Sequence, residues 1–130
     1  MQNYFENDFL FIRYDEKNHL LILEWKLAPA SPEFKEGTNM LITAFEHFKT
    51  GKLVSDIRQL GAVHPDDQQW ISNDWISRAV KAGFSCSAAV LPDDVFTHMS
   101  LEGMSSQSSD QLPAKTFDNM DDAIDWIKQF

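Results

Sequence analysis

Residues 19–27 read "HLLILEWKL", and four of them in succession, Leu20, Leu21, Ile22 and Leu23, are aliphatic. Side chains of an extended segment alternate between the two faces of a sheet, so an unbroken apolar run needs cover on both faces. That places the segment centrally in a sheet with helices packed on it. Just before it, Asp15-Glu16-Lys17-Asn18 is a polar turn, and Phe9 to Tyr14 is a strand that closes a hairpin with it.

Beyond the central strand, Ser31-Pro32-Glu33 is a helix-start signal. Ser31 is expected to cap, and Pro32 suits a first-turn position where no N–H is needed. Phe34, Leu41, Phe45 and Phe48 follow at helical spacing, and Gly51 is expected to cap the end. Lys52 to Ile57 reads as a third strand. Pro65 to Ala82 reads as a helix stopped by Gly83, and Phe84 to Leu91 as a fourth strand rich in small residues. Pro92-Asp93-Asp94 opens another helix, with Val95, Phe96, Met99 and Met104 inward. Residues 105–114 read as a loop, Lys115 to Phe117 as a short edge strand, and Asp118 or Asn119 as the cap of a final helix. The predicted order is β-β-α-β-α-β-α-β-α: an α/β fold with a single mixed sheet, an N-terminal hairpin and parallel later strands, forming a single domain over residues 1–130.

Composition narrows the functional classes. The chain has 130 residues, 43% of them hydrophobic and 12% aromatic, which suits a globular fold with one core. Cys86 is the single cysteine, so no internal disulfide forms. Its mid-strand position predicts a core residue and not an exposed thiolate. Lacking a basic-then-apolar leader and any apolar run long enough to span a bilayer, the sequence predicts a cytoplasmic protein without membrane insertion. The net charge is −9; residues 1–65 carry 7 basic and 9 acidic groups, and residues 66–130 carry 4 and 11. So acidic a second half repels phosphate backbones, and nucleic acid is not an expected partner.

Open sheets place their sites outside the carboxyl ends of parallel strands. The third strand ends in Ser55-Asp56-Ile57-Arg58, the fourth in Leu91-Pro92-Asp93-Asp94, and His64, Asp66 and Asp67 open the helix between them. Asp56, His64, Asp66 and Asp93 form the candidate set for acid–base or metal chemistry. Against that, Pro65-Asp66-Asp67 and Pro92-Asp93-Asp94 share one helix-start pattern, and first-turn aspartates complement the helix dipole. His19, His47, His64 and His98 are scattered without metal-ligand spacing, and no nucleophile elbow or phosphate-cradling glycine loop is present. No cofactor or metal is expected. Asp56 with Arg58 reads as a structural pair. It also fits the position of a receiver-type phospho-acceptor, but neither the early acidic pair nor the later lysine of that chemistry is present.

The element order, with "LVSDIRQLG", "PDDQQWISNDWISRAVKAGF" and "AVLPDDVFTHMS", resembles the SpoIIAA-like, or STAS-like, family over about Phe9 to Phe130. That fold includes anti-sigma factor antagonists, cytoplasmic domains of sulfate transporters, and CRAL-TRIO domains that hold lipids. The resemblance implies a non-enzymatic module that binds a protein partner or a small ligand. Phosphorylatable antagonists carry an Asp-Ser pair at the start of the helix after the third strand; here His64-Pro65-Asp66-Asp67 stands there, without the serine. Asp66 either imitates the phosphate charge or serves the helix end.

Three functions are therefore open. The leading one is a partner-binding rim formed by Asp56, Arg58, His64, Asp66, Trp70 and Trp75. The second is a pocket for an apolar ligand or lipid walled by Phe34, Phe45, Trp75, Phe96 and Met99. The third is an enzyme using Asp56, His64 and Asp93. An exposed sheet edge also permits a homodimer.

Overall fold

A computed structural model describes residues 1–92 and 112–130. The helix expected from Pro92, with Phe96, His98, Met99 and Met104, lies outside the described residues, as do Asp93 and residues 105–111.

Six strands form one mixed sheet in sequential order: β1 (Gln2–Glu6), β2 (Leu10–Asp15), β3 (Leu20–Trp25), β4 (Lys52–Asp56), β5 (Cys86–Val90) and β6 (Ala114–Phe117). β1–β2 and β2–β3 are antiparallel; β3–β4, β4–β5 and β5–β6 are parallel. The expected hairpin is β2–β3, but β1 precedes it and pairs with β2, a strand that the sequence pattern does not announce. Polar Gln2, Asn3 and Glu6 hide its alternation. Its hold on the protein is tertiary: Tyr4 and Phe5 pack against the core, and the Tyr4 hydroxyl bonds Thr43 Oγ1 at 2.9 Å. β1 is an edge strand, and its register shifts between Asn3 and Phe5, an irregularity that hinders further strand pairing.

The apolar run of β3 divides as its pleat requires. Leu21, Leu23 and Trp25 join the core on one face, and Leu20 and Ile22 the core on the other. α1 (Ser31–Phe48) covers the first face, together with a helix that runs as α2 (Pro65–Trp70), a π turn (Ile71–Trp75) and α3 (Ile76–Lys81). α4 (Met120–Ile127) covers β4, β5 and β6 on the second face through Ala123 and Ile127. Among the described residues, no helix is long and apolar enough to cross a membrane.

Several ends differ from the local signals. Ala30, not Ser31, is the N-cap of α1, and no side chain bonds the freed amides there. Lys49 closes α1 in the left-handed region, at φ 56°. Gly51, expected as that cap, instead has the β5 approach pressed against it: an added Cβ would stand 1.9 Å from the Gly83 carbonyl oxygen. α2 is capped by the His64 ring, whose Nδ1 accepts from the Asp66 N–H at 3.0 Å. The cap of α4 does follow its local signal: Asn119, one of the two expected positions, accepts from the Asp122 N–H at 2.8 Å.

Candidate functional site

β3 and β4 run parallel, so the loops that follow them emerge on the same edge of the sheet. On the α1 side of that edge they enclose a cleft of about 220 Å3. Pro29, Ala30, Ser31 and Phe34 form one wall; Leu60, Ala62, Val63, His64 and Asp67 form the other. The left-handed Gly61, at φ 76°, turns the second loop so that it comes close to Ala28.

The polar centre of the cleft joins two helices. Asp67 is 5% exposed, and its Oδ1 accepts a 2.7 Å hydrogen bond from the Ser31 hydroxyl. Ser31 therefore serves a carboxylate on α2 and not the amides of its own helix. Asp66 is the exposed member of the pair, with its side chain 89% accessible, and it lies 3.8 Å from the His64 ring. The Asp66–Asp67 dyad thus splits into a solvent-facing charge and a buried one. Neither carboxylate caps α2, because the imidazole does so.

Asp56 lies elsewhere. It follows Val54 on the α4 side of the pleat and is 3% exposed. Arg58 grips it: Nε donates to Oδ1 at 2.9 Å, a terminal guanidinium nitrogen to Oδ2 at 2.7 Å, and the Arg58 backbone N–H to Oδ1 at 3.2 Å. Glu24 is Asp56's register partner on β3. Burial of its carboxyl, and next the nearby charge of Asp56, hold Glu24 above the usual carboxylate range, while Arg58, Arg13 and Lys26 pull the other way. Glu24 and Arg13 were not legible as members of this ionic group, since only pairing across β2, β3 and β4 brings them near it.

The rim expected from the sequence therefore divides. Arg58, His64 and Asp66 are exposed, Trp70 is half-buried, and Asp56 and Trp75 are withdrawn from water. Trp75 is a core residue: its indole N–H donates to the Thr38 carbonyl at 2.6 Å and its ring meets Phe84 edge-on. The π turn, closed by a bond from the Ile76 N–H to the Ile71 carbonyl, brings positions five apart toward one line, which lets Trp70 follow Trp75 onto the same face. Two cations approach the Trp70 ring, Lys35 Nζ at 5.4 Å and the Arg78 guanidinium at 5.6 Å from its centre.

Of the expected apolar pocket, Phe34, Phe45 and Trp75 are packed into the core and Phe34 alone borders the cleft; Phe96 and Met99 lie outside the described residues. Of the expected catalytic set, Asp56 is held by Arg58 and His64 by the Asp66 amide, and Asp93 lies outside the described residues. Among the described residues, no three His, Cys, Asp or Glu side chains are grouped to hold a metal ion. Comparison with protein-family models, with curated proteins and with solved structures gives no significant match to this chain.

Proposed function

We propose that this chain is a non-enzymatic, STAS-like binding module, and that a protein partner docks over the carboxyl ends of β3 and β4 with one anchoring residue in the cleft. The cleft carries this reading. It is concave, walled mostly by apolar groups, equipped with a few polar ones, and placed where open sheets bind ligands. At about 220 Å3 it is smaller than the roughly 300–1,000 Å3 typical of small-molecule sites, so one side chain suits it better than a lipid. Apolar surface continues beside it at Leu27, which is 52% exposed, and His64 and Asp66 supply a polar border. Central anchors inside a polar border are the usual anatomy of a protein interface. The mixed α/β sheet with an antiparallel hairpin and parallel later strands supports this reading at the level of fold class.

The test is a photo-reactive benzoylphenylalanine at the exposed Leu27, which does not line the cleft, with Asp125 on α4 as the control position, in the native cell. The expected result is a discrete adduct from Leu27 alone. The captured protein, once identified and purified, binds the unmodified chain, and Asp66→Lys weakens that binding at least tenfold. Identical products from both positions, or none, overturn the proposal.

A further inference from the structure

We infer that the residue received by the cleft is a lysine or arginine of the partner protein, its aliphatic stem along Phe34, Leu60 and Val63 and its cation on Asp67. This rests on the docking reading above and adds the chemistry of the anchor. A carboxylate removed from water is costly unless it is paired or richly hydrogen-bonded. Asp67 is 5% exposed, yet its side chain receives one hydrogen bond among the described residues, from the Ser31 hydroxyl. Asp56 is buried to the same degree and holds a guanidinium by both oxygens. Among the described residues, no lysine or arginine stands within ion-pair distance of Asp67, and none lines the cleft.

The surroundings complement a cation. Asp66 is exposed at the mouth, and Glu33 lies in the first turn of α1 beside Ser31. An apolar-walled slot with a carboxylate matches a side chain that has an apolar stem and a charged tip. It does not match a carboxylate or phosphate ligand, which would meet Asp67 and Asp66 as like charges.

The experiment uses the full chain, labelled with nitrogen-15, titrated with N-acetyl-lysine N-methylamide and with its uncharged counterpart N-acetyl-norleucine N-methylamide. The lysine probe is expected to shift the amide signals of Ser31, Val63, His64 and Asp67 saturably, and to bind at least fivefold more tightly than norleucine. Asp67→Asn is expected to abolish the difference. If Asp67→Asn does not fold, Ala62→Trp decides: this exposed position lets an indole cover the mouth while the Ser31–Asp67 bond remains, so the lysine shifts are expected to vanish. Equal binding of the two probes overturns the cation assignment and leaves the docking reading standing. Lysine shifts centred away from the cleft, no lysine shifts at all, or shifts that persist in Ala62→Trp also overturn the assignment. The docking reading itself falls only with the cross-linking result.

Discussion

Asp56 and Asp67 are both carboxylates withdrawn from water, and their partners separate their roles. Asp56 holds the chain that leaves β4 by taking the Arg58 amide and guanidinium together. Arg58 is partly exposed, so screening reduces the ion-pair contribution, and the unpaired groups left behind dominate the loss. Asp56→Ala is expected to lower unfolding stability by about 1–3 kcal/mol in urea titration. Glu24 gives the opposite sign. Its folded carboxyl binds a proton more readily than its unfolded one, so the stability it contributes is fullest in acid and is lost as pH rises through the raised value. Glu24→Gln, which does not ionise, is expected to be more stable than the parent at pH 7 by a few tenths of a kcal/mol. That gain disappears below the ordinary glutamate range, about 4.3. Thermal melts at pH 7 and pH 4 check both halves.

At the scale of elements, α2, the π turn and α3 act as one cover, hydrogen-bonded to α1 at two points. One fastening is Ser31 on Asp67; the other is the Trp75 indole on the Thr38 carbonyl. Trp75→Phe keeps most of the ring but removes that donor inside the core, and is expected to cost about 1–3 kcal/mol, read from denaturant midpoints. After the left-handed Lys49 closes α1, a close approach fixes the chain that follows. Gly51 lies where the chain entering β5 crosses it, with the Ser85 N–H bonded to the Gly51 carbonyl at 2.9 Å. A methyl group there meets backbone, which yields less readily than a side-chain end. Gly51→Ala is expected to destabilise by about 1–3 kcal/mol or to prevent folding, measured by the same titration.

Over the whole molecule, one sheet separates two cores that differ in composition. The α1 side is aromatic, built on Trp25, Phe34, Phe45, Trp75 and Phe84, and it is the side that carries the cleft. The α4 side uses small and branched residues, including Val54, Cys86, Ala88 and Val90. Cys86 is 1% exposed there, and burial pushes its thiol up. It therefore reports opening of the sheet against α4. Reaction with Ellman's reagent at neutral pH is expected to run roughly a thousandfold or more below a free thiol, since only the opened population reacts, and to reach the free rate in denaturant. Fast labelling of the folded protein would mean that the α4 layer opens independently.

The run Leu20 to Leu23 marked β3 as a strand covered on both faces, because alternation sends consecutive aliphatic residues to both sides of a sheet, and the alternating strand and helix patterns after it indicated a mixed α/β sheet. Helix starts at Pro32, Pro65 and Asn119 were likewise legible, since a missing N–H or a side-chain acceptor acts within a turn. What each polar group does was decided by tertiary structure alone. Ser31 and Asp67 are 36 positions apart and meet only once α1 and α2 share a face. Asp56 and His64, close in sequence, serve opposite sides because the pleat sends the Val54–Asp56 face toward α4 while the next loop returns toward α1. β1 was hidden for the same reason: its energy lies in pairing with β2 and in Tyr4 against Thr43 and Phe48, contacts with no local pattern. Local chemistry sets elements within a few residues, whereas burial and pairing are properties of the packed chain.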